Sequence, residues 1–316
     1  MATKIFIDGK EGTTGLRIFD RLSTRNDVTV LTLPEELRKD PEARRRCLHE
    51  AEIAILCLPD AAARESVALA EGSNVRILDT STAHRTLSGW AYGFPELSAA
   101  HRDAVVSGTR VAVPGCHASG FISTVTPLVA AGLIPADALL TCFSLTGYSG
   151  GGKKMIAQYE AEGRDIELDS PRQYGITQQH KHLPEMQHVT GLSSAPVFAP
   201  IVADFYSGME VTVPLFRSQL NVGSDPVAEL RACLAAHYAG SPVVHVLDAE
   251  ETAAVGGFIG SNNLSGMDSM QLMVTGNAER ILLVSRFDNL GKGSSGAALQ
   301  CLNLMLGCPE TTGLAL

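Results

Sequence analysis

The period of apolar and polar positions changes along the chain, and the changes divide it. The opening run Lys4-Ile-Phe-Ile-Asp8 is short and apolar and leads straight into Gly9-Lys-Glu-Gly12-Thr-Thr-Gly15. Leu16-Arg-Ile-Phe-Asp-Arg-Leu22 then sets apolar residues at helical spacing, so the pattern predicts strand, glycine loop and helix. Val28–Leu33 predicts a second strand, Glu36–Glu50 a charged helix, and Ile53–Leu58 a fully apolar strand stopped by Pro59. A helix over Ala61–Glu71 and a strand over Arg76–Asp79 follow. Strands alternating with helices at this spacing require a parallel sheet with right-handed crossovers, because a hairpin cannot join parallel neighbours.

After about residue 118 the pattern differs. A helix over Gly120–Ala131 is followed by longer alternating strands at Leu139–Leu145, Pro196–Val202, Met209–Phe216, Val243–Val246, Met270–Thr275 and Ile281–Phe287. Polar loops separate them, which predicts a mixed, mostly antiparallel sheet in a second, α+β domain. The last apolar stretch, Gly293–Leu306, has helical spacing through Ala297, Ala298, Cys301, Leu302 and Met305. It predicts a helix returning to the first domain. The expected fold class is α/β, with residues 1–117 and 289–316 in the parallel-sheet domain and 118–288 in the second.

Composition narrows the partners. The 316 residues suffice for two domains, and 45% hydrophobic content fills their cores, which argues against disorder. Twenty-five Lys and Arg against 34 Asp and Glu leave a net charge of −9, and the longest basic run is Arg44-Arg45-Arg46. Nucleic acid and anionic membrane surfaces are therefore not expected partners. Seven scattered cysteines, with neither a secretory leader nor a long uncharged apolar run, point to a cytoplasmic protein with reduced thiols. Aromatic content of 5% beside 30 glycines suits an α/β enzyme with tight strand-to-helix turns.

Gly9, Gly12, Thr13, Thr14 and Gly15 sit where a glycine loop has a mechanism. The loop brings backbone close to a pyrophosphate and the following helix offers its positive end, as in a Rossmann-type dinucleotide-binding domain. The second strand ends in Thr32-Leu-Pro-Glu-Glu, with Arg38 and Lys39 nearby. Glu35 keeps NAD possible, but the cations favour NADP as the cofactor. Asp288-Asn289-Leu-Gly291-Lys-Gly293 precedes the last helix and is placed to close over that cofactor.

Val113-Pro-Gly-Cys116-His-Ala-Ser-Gly120 puts a thiol after a turn and at the head of an apolar helix. Unpaired N–H groups and the helix dipole there lower a thiol's pKa and can hold an oxyanion, so Cys116 is the candidate nucleophile. The other six cysteines read as core or surface thiols. Proton-transfer candidates are His117, His180, His182 and His188. In His180-Lys-His182-Leu-Pro-Glu185 two imidazoles share a face if the segment is extended, just before a Pro-Glu helix start. Zinc is the rival reading, but no third ligand is clustered nearby. Thr146-Gly-Tyr-Ser149-Gly150-Gly-Gly-Lys153-Lys154 ends a strand with glycines, a hydroxyl and cations, which suits an anionic group. Arg85, after the strand-ending Asp79, is placed to face an anion.

These motifs resemble the N-acetyl-gamma-glutamyl-phosphate reductase family, related to aspartate-semialdehyde and glyceraldehyde-phosphate dehydrogenases. The resemblance runs nearly end to end, on Gly12-Thr-Thr-Gly15, Tyr92-Gly-Phe-Pro-Glu-Leu97, Pro114-Gly-Cys116, Ser149-Gly-Gly-Gly-Lys153, His180–Glu185 and Asp288–Gly293 through Gly307. It implies Cys116 as acyl-accepting nucleophile, His180 as acid/base, and Tyr174, Ser149 and the glycines after it as substrate-pocket lining, with Lys153, Arg85 and His182 beside them. Asn289 and Gly291 join the glycine loop at the cofactor. It further implies an NADPH-dependent reduction of N-acetyl-L-glutamyl 5-phosphate, an acyl phosphate, to the semialdehyde and phosphate. Cys116 would carry the acyl group as a thioester, and His180 would protonate the oxyanion left by hydride. No metal is implied, and a homodimer or homotetramer is expected. Three positions depart from the family pattern: His117 stands where Tyr or Phe is usual, Lys153 where Arg is common, and His84 where an aromatic precedes Arg85. His117 is expected to point down its own helix, away from the reacting side of the thiol. Two other readings compete, an aspartate-semialdehyde dehydrogenase and a non-catalytic dinucleotide-sensing regulator.

Overall fold

A computed structural model describes residues 2–316. The chain forms two compact units, one holding the residues up to Pro114 with Ser294–Leu314, the other Gly115–Gly293 with Ala315–Leu316. The boundary falls before Cys116 instead of after residue 117, because Gly115 is the N-cap of a helix that begins at Cys116 and belongs to the second unit.

The first unit runs β1 (Thr3–Asp8), α1 (Thr13–Leu22), β2 (Val28–Leu31), α2 (Pro41–Glu50), β3 (Ile53–Leu56), α3 (Asp60–Leu69), β4 (Arg76–Asp79), β5 (Ala91–Tyr92), α4 (Ala99–Ser107) and β6 (Arg110–Ala112). Its six strands pair in the order β2-β1-β3-β4-β6-β5, all parallel. The chain passes from β1 to β2 on one side and then to β3 on the other. The crevice of this doubly wound sheet therefore opens at the end of β1, where Gly9–Gly15 lies. The helix expected over 36–50 is two pieces, a 3₁₀ turn at Glu35–Leu37 and then α2. Pro41 disfavours helical backbone at residue 40, and the Asp40 side chain instead caps α2 by accepting from Ala43 N.

The second unit runs α5 (Cys116–Ala130), β7 (Thr141–Gly147), α6 (Gly152–Tyr159), β8 (Arg172–Gln173), α7 (Leu183–Thr190), β9 (Val197–Ala203), β10 (Met209–Phe216), α8 (Pro226–His237), β11 (Val244–Val246), α9 (Ala249–Ala254), β12 (Met270–Gly276) and β13 (Arg280–Phe287). Seven strands pair in the order β11-β12-β13-β10-β7-β9-β8; β11 with β12 and β7 with β9 are parallel, and the other four pairs antiparallel. Helix α5 begins four residues before the expected position and packs on β10 and β13 so closely that a Cβ at Gly120 would lie 2.3 Å from Val211 Cγ2.

After β13 a π-helical turn, Gly291–Ser295, replaces the start expected for the last helix, and α10 (Gly296–Leu306) follows. Helix α10 returns to the first unit, where Ala297, Ala298, Cys301 and Leu302 join Ile5, Ile55, Leu78 and Val111 in one core. Among the described residues no helix is long and apolar enough to cross a membrane.

Candidate active site

In the first unit the glycine loop is built for close approach. Gly9 has φ of +88°, and a Cβ there would lie 2.4 Å from the Cys57 carbonyl oxygen. A Cβ on Gly15 would lie 2.5 Å from the Gly9 carbonyl oxygen, so the third glycine lets α1 pack against the loop. Gly12 differs: a Cβ there would meet nothing nearer than 3.6 Å. Its bareness leaves room for a ligand instead of serving the protein's own packing. Gly12 is the N-cap of α1 and gives no side-chain cap, so the first N–H groups stay open. Thr13 Oγ1 is buried without a hydrogen-bond partner, and Thr14 Oγ1 meets Ser294 Oγ at 3.0 Å. An orphaned hydroxyl beside open helix N–H groups fits a dinucleotide's pyrophosphate.

Beneath the loop lies an ion cluster that sequence reading missed. Arg44 is buried on α2, donates to Asp8, Ser66 and Glu65, and is one member of the chain's longest basic run. An acidic residue at the end of an apolar strand needs such a partner, which was the available signal. Arg85 is also buried, and its guanidinium donates to the carbonyls of Val113 at 2.8 Å and Thr80 at 3.0 Å. Expected as an anion contact, it ties two strand ends together just ahead of the cysteine turn. His84 beside it donates from Nδ1 to Asp79 Oδ2 at 2.6 Å and stacks on Trp90 at 4.1 Å, which fills the place of the missing aromatic.

In the second unit Cys116 is the first residue of a fifteen-residue helix, where the dipole favours negative charge on sulfur. Its turn is pinned from α7: Gly115 N donates to the buried Glu185 Oε1 at 2.8 Å. Glu185 stood in the recognised motif without a role, and this contact supplies one. Gly293 packs against Cys116, since a Cβ there would lie 2.9 Å from Cys116 Cβ.

The histidine pair is not extended. Residues 181 and 182 form a turn, and His182 has φ −87° and ψ −12° as N-cap of α7. The turn still brings the rings together, with centroids 4.8 Å apart, and His182 N donates to His180 Nδ1 at 3.2 Å. Neutral His180 therefore carries its proton on Nε2. Burial, then the charge of Lys181, pushes its pKa down to about 4.

His117 does not point away from this group. Its ring centroid lies 5.6 Å from that of His180 and 5.5 Å from that of His182. Burial, then His180, lowers its pKa to about 3. Its Nδ1 is 2.6 Å from Ser144 Oγ and its Nε2 2.5 Å from Tyr174 Oη, so Tyr174 joins the cluster through a residue expected elsewhere. Among the described residues no group of three or more His, Cys, Asp or Glu is placed to hold a metal ion.

The remaining expected residues separate. Ser149 is buried and accepts from Asn289 Nδ2 at 3.0 Å, while Gly208 N donates to Asn289 Oδ1 at 2.9 Å. Asn289, expected at the cofactor, thus braces the serine loop. Gly291 is required by packing, because a Cβ would lie 2.0 Å from the Met267 carbonyl oxygen. Gly150 and Lys153 are exposed.

A family model described as the semialdehyde dehydrogenase dimerisation domain matches residues 116–289. N-acetyl-gamma-glutamyl-phosphate reductases of Brucella ovis and Brucella melitensis biotype 2 are each 47% identical over 311 residues, covering 97% of this chain and 100% of theirs. Among solved structures, aspartate semialdehyde dehydrogenase II from Vibrio cholerae superposes with a TM-score of 0.73 at 14% identity, over 97% of this chain and 99% of that one. Aspartate semialdehyde dehydrogenase with NADP from Candida albicans gives 0.68 at 16% identity, with the same coverage. The structural likenesses establish the α/β fold; the sequence identity over nearly the full length establishes more, and the chain belongs to the N-acetyl-gamma-glutamyl-phosphate reductase family.

Proposed function

We propose that the chain reduces N-acetyl-L-glutamyl 5-phosphate with NADPH to N-acetyl-L-glutamate 5-semialdehyde and phosphate, in arginine biosynthesis, through a thioester on Cys116. The observation that carries this reading is the cysteine at the first position of α5, with its turn held by Glu185 and an imidazole cluster in the same unit.

The Cys116 thiolate attacks the acyl carbon, the carbon–oxygen bond to phosphate breaks, and phosphate leaves with the electron pair. The acyl group stays on sulfur as a thioester, which accepts hydride where a carboxylate would not. Bound at the Gly9–Gly15 loop, NADPH supplies that hydride. Open N–H groups at the head of α5 and the Nε2–H of His180 stabilise the oxyanion at each tetrahedral stage. His180 lends its proton to that oxygen and takes it back as the aldehyde forms and the thiolate returns. Because Nδ1 already accepts a backbone N–H, the ring is set as a neutral donor. Ser149, Gly150, Lys153, Tyr174 and His182 line the substrate pocket.

Arg38 and Lys39 beyond the end of β2 are exposed, Arg38 paired with Glu35 at 3.6 Å, and position 32 at the strand end is Thr in place of an acidic ribose ligand, which favours the 2′-phosphate of NADP. The protein acts in the cytoplasm as a homodimer or homotetramer. The outer face of the second unit's sheet, matched to a dimerisation-domain family, exposes Phe143, Val197 and Phe216 for a second copy.

Reduction of NADP by N-acetylglutamate semialdehyde, measured with and without phosphate, tests the activity. Phosphate-dependent turnover well above that with aspartate semialdehyde supports it, and preference for the shorter semialdehyde overturns it.

A further inference from the structure

The bonds joining Ser144, His117 and Tyr174 have a direction that their surroundings fix. Ser144 is fully buried on β7, and the His117 ring is the one side-chain partner of its hydroxyl among the described residues. A buried O–H without an acceptor costs its desolvation, so Ser144 donates to Nδ1. The neutral ring then carries its proton on Nε2 and donates it to the Tyr174 oxygen. His117 cannot supply both protons by ionising, since burial keeps it neutral down to about pH 3. The Tyr174 O–H is thereby left without an acceptor among the described residues. Burial and the nearby charge of Cys116 raise the phenol's pKa above the ordinary tyrosine value, so it keeps the proton it would donate.

We propose that Tyr174 donates a hydrogen bond to an oxygen of the acyl group carried on Cys116, and that His117, oriented by Ser144, is the positioning residue that holds the phenol in the donating direction. This rests on Cys116 as the acyl acceptor. Phenylalanine at position 117 would offer the phenol no N–H, so the relay belongs to this chain's departure from the family pattern. The donor strengthens as charge develops on the acyl oxygen, which places its effect in kcat more than in KM.

A double-mutant cycle tests the coupling, and Cys116→Ala tests the underlying reading separately. Tyr174→Phe lowers kcat by about 10²-fold, the usual loss on removing one oxyanion donor, with KM little changed. His117→Phe lowers kcat about tenfold in the parent but less than about twofold when residue 174 is already Phe. His117→Gln, whose amide N–H can still reach the phenol oxygen, keeps most of the parent kcat. In the unmutated protein, nitrogen NMR of labelled histidine shows His117 protonated at Nε2 and bare at Nδ1. Equal losses from His117→Phe in both backgrounds, or a proton on Nδ1, overturn the proposal even if Cys116→Ala abolishes turnover. If the His117 variants do not fold, the NMR tautomer decides. Residual turnover in Cys116→Ala would instead sink the thioester reading.

Discussion

Cys116 stands apart from its fellow cysteines by its surroundings. Burial pushes the Cys57 thiol up to about 12 and raises Cys142 as well, whereas Cys116, partly exposed as four other cysteines are, stands at the first position of a helix. Brief alkylation followed by mass spectrometry therefore labels Cys116 first, and earlier labelling of another cysteine would refute its role. Cys116→Ala leaves melting temperature and NADP binding near the parent values while kcat falls by about 10⁴-fold or more. His180→Asn lowers kcat by about 10²–10⁴-fold with cofactor affinity kept; full activity in that variant would remove His180 from the chemistry. The two depressed histidines also set a pH dependence. An unfolded histidine titrates near 6.5, but His117 and His180 in the fold titrate at about 3 and about 4. Between these values the unfolded chain binds protons that the native chain does not, so stability falls as pH drops from about 6.5 towards 4 and is level above. Urea midpoints from pH 7.5 to 5 check the sign, and His117→Phe gives the shallower slope. Cys116 and His180 could be singled out as candidates because each lies in a short local motif. The contacts of His117 could not, since its partners stand 27 and 57 residues away. The carbonyl contacts of Arg85 were hidden for a related reason: its partner at Val113 is set by strand order.

The elements readable from periodicity were those long enough to show a period. Strand β10 has the residues expected, Met209–Phe216, and β4 likewise covers Arg76–Asp79. Strands β5 and β6, of two and three residues, carry no period and went unread. Boundaries shifted where local chemistry outweighed hydrophobic pattern, as at Asp40-Pro41 and at the π turn before α10. The β1–loop–α1 element was recognised by its glycines, and the structure separates their duties. Gly15→Ala forces a Cβ to within 2.5 Å of backbone that cannot yield, so the loop shifts and NADP affinity drops by about tenfold or more. Gly12→Ala, in open space, costs little fold stability but obstructs the ligand. Calorimetric titration with NADP, paired with melting curves, separates the two effects. The same titration with NAD checks the cofactor. Arg38 and Lys39 beyond β2 lead to the expectation of higher kcat/KM with NADPH than with NADH, and parity would refute it.

The two units read differently from sequence because helical crossovers cover both faces of a parallel sheet, whereas a mostly antiparallel sheet can leave one face open. The parallel strand β3 is buried along its length, and its helical crossovers supply the layers that bury it. In the second unit, alternation along β7, β9 and β10 turns half the side chains towards α5, and the opposite half lies open. On that open face Phe143 is 50% exposed, Val197 61% and Phe216 62%. Register places these residues on one surface: Phe143 faces Thr212 and Ala199 across the ladders, and Phe216 lies on the same side of β10 as Thr212. A contiguous apolar sheet face of this kind marks an association surface, and an isologous contact between two copies buries it with no further element. Light scattering of the purified protein therefore gives the mass of a dimer or tetramer. Phe143→Lys combined with Phe216→Lys puts like charges from both copies into the contact and lowers the mass towards that of a single chain. Spectroscopic secondary structure should persist, because neither side chain contributes to the core on the α5 side. A single-chain mass for the unmutated protein, or an unchanged mass in the double variant, would assign association to another surface.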